Sequence, residues 1–338
     1  MKEHLLNVVR RFPKTRVVVM ADLVLDEFLL GEIARVSREA PVLIIEHKRL
    51  DAMPGGGANA VRNVRALGGE PIPVGVVGDD DAGDRLVALL DSDGIDTTGI
   101  TRIADYATPV KTRVLAGLPH SRAQQVIRID RGRVATVGAE VAALACERAA
   151  RQLAQRTGAL MLSDYGYDLV TPQSVAAVVD DARGRGITVT CDSRHRLKGF
   201  HGVSAITPNL EEAEEMLGIR LSDGPERLQE TGRELLARVS CKAVLITRGS
   251  HGMTLLEDGV APFDIPVFGS DQVADVTGAG DTVIAAFTLA LASGSTFRVA
   301  AMLANIAAGL VVMKRATATV SSAELVAAID RMSAGETA

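Results

Sequence analysis

The amino-acid sequence predicts an α/β fold with three layers, α/β/α, a mostly parallel central sheet and a small β lid. Short Val-rich runs at 16–20, 160–163, 187–191 and 243–247 alternate with helical patterns. Strands interleaved with helices form parallel sheets that are covered on both faces. Four further extended runs, at 28–33, 42–48, 110–116 and 124–129, lack intervening helices. They predict a small antiparallel sheet that acts as a lid.

The helical segments follow from apolar spacing and from start and stop residues. They are predicted at 58–67, 82–90, 141–155, 172–183, 210–217, 227–238, 279–292 and 297–314. We expect one domain over residues 1–333, with lid segments at about 28–49 and 108–130, and a frayed tail at 334–338. Ligands are expected at the carboxyl ends of the parallel strands.

Composition narrows the class of ligand. The 338-residue chain has a net charge of -5, 3% aromatic residues and no Trp, so we expect no binding of nucleic acid or of an anionic membrane. Residues 1–14 do not resemble a secretory signal, and no apolar run is long enough to span a bilayer, so a cytoplasmic protein is expected. Cys146, Cys191 and Cys241 are widely spaced and predict buried thiols.

The run DVTGAGD at 275–281 is the strongest chemical signal. Gly278, Ala279 and Gly280 place backbone N–H groups at the start of a predicted helix, where they favour an anion. Asp281 adds a carboxylate beside them, and an anion site next to a general base suits phosphoryl transfer to a hydroxyl. The simpler interpretation is a helix start whose acidic residue complements the dipole.

A second glycine turn, Gly55-Gly56-Gly57, precedes Asn59 at another predicted helix start. Asn59 is a candidate for binding sugar hydroxyls, and the alternative is a helix cap. Asp22 follows the first predicted strand, with Asp26 four residues later. Asp22 is our candidate for binding a polyol, and the alternative is that it caps local backbone.

Two turns later in the chain, at Asn209 and at Thr247, are candidates for binding a nucleotide. Asn209 and Glu212 form a capping box at a helix start, which needs no function, but they also suit a nucleotide phosphate and a water on Mg²⁺. Thr247 and Gly249 end a strand and lead into a loop that could pass under a nucleotide. Without the other motifs they are only a turn.

These motifs follow the order and spacing of the PfkB, or ribokinase-like, carbohydrate kinases, which the chain resembles over nearly its whole length. A closer resemblance is to the bacterial D-glycero-D-manno-heptose 7-phosphate kinases, including the kinase half of the bifunctional heptose kinase/adenylyltransferases. It rests on the segment ARVSREAP at 34–41, on QQVIRID at 124–130 and on Ser163-Asp164-Tyr165.

The resemblance implies a ribokinase-like fold, ATP and Mg²⁺ as cofactors, and a role for each motif residue. Asp281 would be the general base, with Gly278, Ala279 and Gly280 as the anion hole. The substrate-binding set would be Asp22, Gly56, Gly57, Asn59 and Asp164, and the set for ATP and Mg²⁺ would be Asn209, Glu212, Thr247, Gly249 and Asn305. Asp275 and Thr277 resemble a loop that binds a monovalent cation, K⁺, in many members.

If the sugar carries a 7-phosphate, the lid must supply cations, and Arg35, Arg113 and Arg128 are the candidates, although each could simply be a solvated surface residue. The chain departs from the heptose kinases at Gly166-Tyr167-Asp168, where a Lys is usual, and at Asp192-Ser193-Arg194, which replaces Asp-Pro-Lys. A kinase for another sugar and a non-catalytic sugar- or nucleotide-binding regulator therefore stay as alternatives. Exposed lid strands also predict a homodimer formed through the lid.

Overall fold

The computed structural model describes residues 1–118, 123–132, 137–155, 157–218, 225–269, 275–314 and 316–332. The predicted frayed tail at 334–338 lies outside them. The strands are β1 (Arg16–Ala21), β2 (Leu23–Val36), β3 (Leu43–Gly56), β4 (Glu70–Gly78), β5 (Ile100–Ile103), β6 (Val110–Gly117), β7 (Gln124–Arg131), β8 (Ala159–Asp164), β9 (Thr188–Ser193), β10 (Ala205–Ile206), β11 (Ala243–Thr247), β12 (Met253–Glu257) and β13 (Phe263–Ile265).

The helices surround these strands in alternation. They are α1 (Lys2–Val9), α2 (Gly57–Ala66), α3 (Asp81–Ser92), α4 (Ala139–Leu153), α5 (Pro172–Gly184), α6 (Leu210–Leu217), α7 (Pro225–Val239), α8 (Ala279–Ala292), α9 (Phe297–Val311) and α10 (Ser322–Arg331). All eight predicted helices are present, and α6 and α8 have the predicted bounds. In the described part of the chain, no helix is both long and apolar enough to cross a membrane.

Within the described ranges, the central sheet has nine strands in the order β13-β12-β11-β10-β9-β8-β1-β4-β5. Every pairing from β11 to β5 is parallel, and β12 pairs antiparallel with both of its neighbours. Val17, Val19 and Ala21 of β1 face one apolar core, while Val18 and Met20 face a second core on the other side. This two-sided burial confirms the predicted three-layer arrangement and explains why β1 is a continuous apolar run.

A separate four-stranded sheet, which we call the lid, has the order β3-β2-β6-β7. The predicted small sheet is present, but one of its strand pairings, β2 with β6, is parallel instead of antiparallel. Since a single residue, Asp22, separates β2 from the end of β1, the lid extends directly from the carboxyl edge of the central sheet. Its position therefore places lid side chains over the ends of the parallel strands.

Candidate active site

A cleft of about 390 Å³ lies between the lid and the carboxyl ends of β8, β9 and β11. It brings together many of the predicted site residues: Gly56, Arg113, Arg128, Asn209, Glu212, Thr247, Thr277, Gly278, Gly280 and Asp281. Asp26, Lys111, Gln125, Tyr165, Asp192 and Arg194 also line it. A larger cavity of about 820 Å³, next to α7 and β12, contains none of the predicted residues. Convergent polar groups, more than volume, mark the smaller cleft as the candidate site.

Asp281 lies in the first turn of α8, and its side chain is buried. Its Oδ2 accepts a hydrogen bond from Asn59 Nδ2 at 2.8 Å, and its Oδ1 accepts one from the Tyr165 hydroxyl at 2.6 Å. Burial raises the pKa of Asp281 to about 6, although both hydrogen bonds lower it. Near neutral pH the carboxylate is therefore ionised and basic enough to accept a proton.

The turn before α8 depends on Gly278, which has a φ of 80°. A Cβ atom at this position would lie 2.6 Å from Asn59 Nδ2, the same amide group that holds Asp281. Ala279, one of the three predicted anion donors, donates its N–H to the Val276 carbonyl at 3.2 Å. Gly278 and Gly280, which line the cleft, are therefore better placed than Ala279 to meet an anion.

Asn59 is not a helix cap, because α2 begins at Gly57 with Gly56 as its N-cap. Its side chain is fully buried behind Asp281, where its Oδ1 also accepts from Asn63 Nδ2 at 3.2 Å. The structure places Asn59 off the cleft wall, in contact with the Asp281 carboxylate. Gly57 is also off the wall, packed closely against Ala21.

Asp22 caps local backbone, which was the alternative to its predicted role in binding a polyol. Its carboxylate accepts backbone N–H groups of Tyr165, Tyr167 and Leu169 at 2.9, 2.9 and 3.2 Å, and it lies outside the cleft lining. Burial raises its pKa to about 6. The sequence assigned the sugar to this residue, whereas the structure places Asp26 in the cleft.

Asp26 reaches the cleft because it lies on β2, opposite Lys111 of β6. Arg113 Nη1 lies 2.8 Å from Asp26 Oδ1. The two groups form an ion pair but not a hydrogen bond, because the N–H groups of Arg113 do not point towards this oxygen. Gly55 leaves room for the carboxylate, since a Cβ there would lie 2.5 Å from Asp26 Oδ2. The glycine run thus makes space for an acidic group that sequence reasoning left without a role.

Among the described residues, four cations line the cleft, and two of them were missed. Arg113 and Arg128 were predicted, and Arg128 forms a bidentate pair with Asp130 at 2.9 and 3.0 Å. Lys111 and Arg194 are additional, and burial lowers the pKa of Lys111 to about 8. The alternation of β6, which puts Lys111 and Arg113 on one face, was the available signal.

Arg35, the third predicted lid cation, is exposed near the end of β2 and does not line the cleft. Asp164 also lies outside it. Arg196 holds its carboxylate in a bidentate pair at 2.6 and 3.0 Å, and Ser193 Oγ donates to it at 2.6 Å. Asp164 therefore ties β8 to the segment that follows β9.

The capping box predicted at α6 is present, with Asn209 Oδ1 accepting from the Glu212 N–H and Glu212 Oε2 accepting from the Asn209 N–H, each at 2.8 Å. Both residues line the cleft beside Thr247. Burial and the nearby Glu212 raise the pKa of Asp192, and burial also raises the pKa of Glu212. Two carboxylates that oppose each other's ionisation fit a divalent cation.

No three His, Cys, Asp or Glu side chains converge on a metal site within the described ranges. A Mg²⁺ ion at Asp192 and Glu212 would therefore depend on phosphate oxygens and water for its other ligands. The Asp275 carboxylate accepts N–H groups of Thr277 at 2.9 Å and Ala316 at 3.1 Å. Residues 270–274, next to this predicted cation loop, lie outside the described residues.

The last two nucleotide candidates lie off the cleft wall. Gly249 forms a short helical turn after β11 with a φ of 56°. Asn305 of α9 donates its amide to the Pro266 carbonyl at 2.9 Å. In this conformation each of them shapes the local backbone.

The sequence of this chain is similar to known carbohydrate kinases. The family model for pfkB family carbohydrate kinases matches residues 23–324. Bifunctional protein HldE of Azotobacter vinelandii is 41% identical over 327 residues, which cover 96% of this chain. The chain spans 66% of the length of that relative.

Solved structures agree with the fold. Arabidopsis thaliana ribokinase complexed with ribose and ATP matches with a TM-score of 0.73 and 19% identity, over 94% of this chain and 99% of that one. Phosphofructokinase-2 from Escherichia coli in complex with potassium matches with a TM-score of 0.72 and 17% identity over the same shares. The predicted ribokinase-like fold is confirmed, and the match of the family model to most of the chain shows that this protein belongs to the pfkB family of ATP-dependent carbohydrate kinases.

Proposed function

We propose that this kinase transfers the γ-phosphoryl group of ATP to a sugar phosphate, namely D-glycero-D-manno-heptose 7-phosphate, to give the 1,7-bisphosphate. The observation that carries the proposal is one cleft in which the described residues include a buried carboxylate, Asp281, and four cations. Those cations are Lys111, Arg113, Arg128 and Arg194. A neutral sugar would not need positive side chains from the lid. The phosphate group of a sugar phosphate would, and it pairs well with guanidinium groups.

The proposed roles follow from position. Asp281 takes the proton of the attacking hydroxyl, and Asp26, on the lid side of the cleft, accepts hydrogen bonds from other sugar hydroxyls. N–H groups of the turn at Gly278 and Gly280 stabilise the negative charge of the transferring group. Closure of the lid would exclude water and limit hydrolysis of ATP.

Asn209, Glu212 and Thr247 form the end of the cleft that we assign to the nucleotide. Mg²⁺ bound there would neutralise phosphate charge, with Asp192 and Glu212 as its nearest protein carboxylates. Asp275 and Thr277 stay a prediction for a monovalent cation, which the potassium complex of the phosphofructokinase-2 neighbour makes reasonable.

The heptose assignment rests on the sequence similarity to the bifunctional heptose kinase/adenylyltransferases, 41% in the case of HldE of Azotobacter vinelandii. The proposal covers the kinase reaction alone. A kinase for a different sugar phosphate is the second candidate, because the usual Lys is absent from the segment Gly166-Tyr167-Asp168. Lys111 Nζ lies 5.9 Å from the centre of the Tyr167 ring, so the lid brings a positive charge near this segment.

The test is an ATP-consumption screen over a panel of sugars and sugar phosphates. It should include heptose 7-phosphate, its unphosphorylated parent, ribose and fructose 6-phosphate. We expect kcat/KM to be highest for the heptose phosphate. A better turnover of an unphosphorylated sugar would contradict the proposed role of the lid cations, and no turnover of any compound would favour the regulator.

Replacing Arg128 by Gln is expected to raise KM for the sugar phosphate by roughly 10–100-fold with little change in kcat, because a hydrogen-bonded charge contributes about 1.5–3 kcal/mol. Arg35→Gln is the matched control, since Arg35 lies on the lid but away from the cleft. Steady-state kinetics of both variants at fixed ATP give the comparison. Equal KM values for the two variants would remove Arg128 from the phosphate site.

We also propose a homodimer formed through the lid. Its outer strands carry exposed apolar side chains, among them Leu43 and Leu50 of β3 and Ile127 and Ile129 of β7. Apolar edge strands are normally covered, and a second copy of the same sheet is the simplest cover. Sedimentation velocity should show a dimer that Ile127→Lys shifts towards monomer, and a wild type that is monomeric at every concentration would exclude this dimer.

A further inference from the structure

The shortest contact to the proposed base comes from a residue to which the kinase motifs give no role. Tyr165 lies one residue after β8, and its hydroxyl donates to Asp281 Oδ1 at 2.6 Å. Burial and the neighbouring Asp281 raise the pKa of Tyr165 well above its usual value, so the hydroxyl keeps its proton and remains a donor. The contact joins the end of β8 to the start of α8, two parts of the chain far apart in sequence.

Contacts of three kinds fix the position of Tyr165. Its backbone N–H donates to Asp22 Oδ2 at 2.9 Å. Its ring contacts two cations, with Lys111 Nζ 4.7 Å and the Arg194 guanidinium 4.9 Å from the ring centre. A Cβ on Gly56 would lie 3.4 Å from its Cδ2, so the glycine turn also packs on the ring. The hydroxyl is therefore held in place before any ligand binds.

We propose that Tyr165 is a positioning residue that orients the Asp281 carboxylate towards the cleft and sets how readily that carboxylate takes the proton of the sugar. Asp22 acts indirectly, because it accepts the backbone N–H of Tyr165 and so holds the loop that carries this residue. The inference rests on the proposed function, since it assigns a partner to the base of that reaction. It also connects Asp22, which lies outside the cleft lining, to the orientation of the base.

The physical argument concerns the two carboxylate oxygens. Tyr165 uses one lone pair of Oδ1 and Asn59 uses one lone pair of Oδ2, which leaves further lone pairs for a substrate hydroxyl. Donors to a carboxylate favour its ionised form, so Tyr165 lowers the pKa of Asp281, which burial keeps at about 6 even with both donors in place. The charged or titratable groups that face Asp281 are Asp26 from β2, Lys111 from β6, Tyr165 after β8, Asp192 from β9 and Arg194 after β9.

Tyr165→Phe removes a single oxygen atom and keeps the ring that contacts Lys111 and Arg194. With one donor lost, the pKa of Asp281 should rise, and because catalysis needs the ionised carboxylate, the acid limb of kcat/KM should move up by about one pH unit. Substitution of Tyr165 by 3-fluorotyrosine, a stronger donor, should move the limb down. Tyr106→Phe is the control, since Tyr106 is buried outside the cleft.

A second measurement separates this inference from the proposed function. The Asp281 carboxyl carbon can be titrated by NMR in ¹³C-Asp-labelled protein without substrate, with its resonance assigned by comparison with Asp281→Asn. We expect the NMR midpoint and the kinetic limb to move together in Tyr165→Phe. An unchanged midpoint, or a shifted midpoint with an unchanged limb, would overturn the inference. A wild type that is inactive on the whole panel would overturn the proposed function, while the NMR titration would still decide whether Tyr165 tunes Asp281.

Discussion

Asp281→Asn is expected to lower kcat by on the order of 10²–10⁴-fold, the usual contribution of a general base, with a much smaller change in ATP affinity. The amide has the shape of the carboxylate but cannot accept the proton of the sugar hydroxyl. Its oxygen can still accept from Asn59, and its NH₂ can donate to the Tyr165 oxygen, so both contacts of the native side chain are replaced. Steady-state kinetics on the best substrate of the panel, together with calorimetric titration of ATP, measure the two effects separately.

The control for folding follows from the raised pKa of Asp281. A carboxyl whose pKa is raised to about 6 on folding, from 3.8, destabilises the native state in its ionised form. That penalty is absent below about pH 4, grows up to about pH 6 and stays constant above it. Asp281→Asn should therefore be at least as stable as the wild type at pH 8. Asp105→Asn, an exposed residue outside the cleft, should keep full activity. Near-full turnover by Asp281→Asn would exclude the proposed base.

Apolar runs and glycine signals predicted most of the fold, and the elements they missed have identifiable causes. The segment that forms β4 contains Pro71 and Pro73, which argue against a central strand. β5 pairs only with residues 75–78 of β4, so the two prolines occupy the part of that strand where this partner is absent. The helices α1 and α10 were also missed. They contact each other on one face of the protein, and this packing is not visible in either segment alone.

The site was predicted in its backbone but not in all of its side chains. The turn at Gly278 and Gly280 and the capping box at Asn209 are local patterns, so the sequence revealed them. Lys111, Tyr165 and Arg194 come from a lid strand and from two strand ends, and only the folded sheet brings them together. The spacing of these three residues along the chain does not indicate that they lie close together in the fold.

Asp22 and Asp26 show the limit of an argument from strand order. Both follow β1 closely, and the rule that ligands gather at strand ends could not distinguish them. The difference comes from β2, which begins at Leu23 and carries Asp26 into the lid, while Asp22 remains under the loop that starts at Tyr165. The register of the lid strands therefore decides which carboxylate lines the cleft.

Gly278→Ala is expected to lower kcat by on the order of 10²-fold, although it removes no functional group. The residue has a φ of 80°, a conformation that costs an L-residue such as Ala about 1–2 kcal/mol. The new Cβ would also lie 2.6 Å from Asn59 Nδ2, so the Asn59 side chain must move. Because Asn59 holds Asp281 Oδ2 at 2.8 Å, its movement releases the base from one of its two donors. A displacement of about 1 Å at a reacting group can reduce turnover by roughly that factor.

Two other glycines separate this effect from a general loss of stability. Gly184→Ala, near the end of α5, meets nothing within 4 Å and should keep both activity and thermal stability. Gly280→Ala also has open space around its Cβ, and because Ala favours helix the variant should unfold no earlier than the wild type. Gly278→Ala should therefore be alone among the three in losing thermal stability, by about 1–2 kcal/mol from its backbone strain. If Gly278→Ala kept wild-type kcat while losing that stability, the turn would support the fold without positioning Asn59 and Asp281 for catalysis.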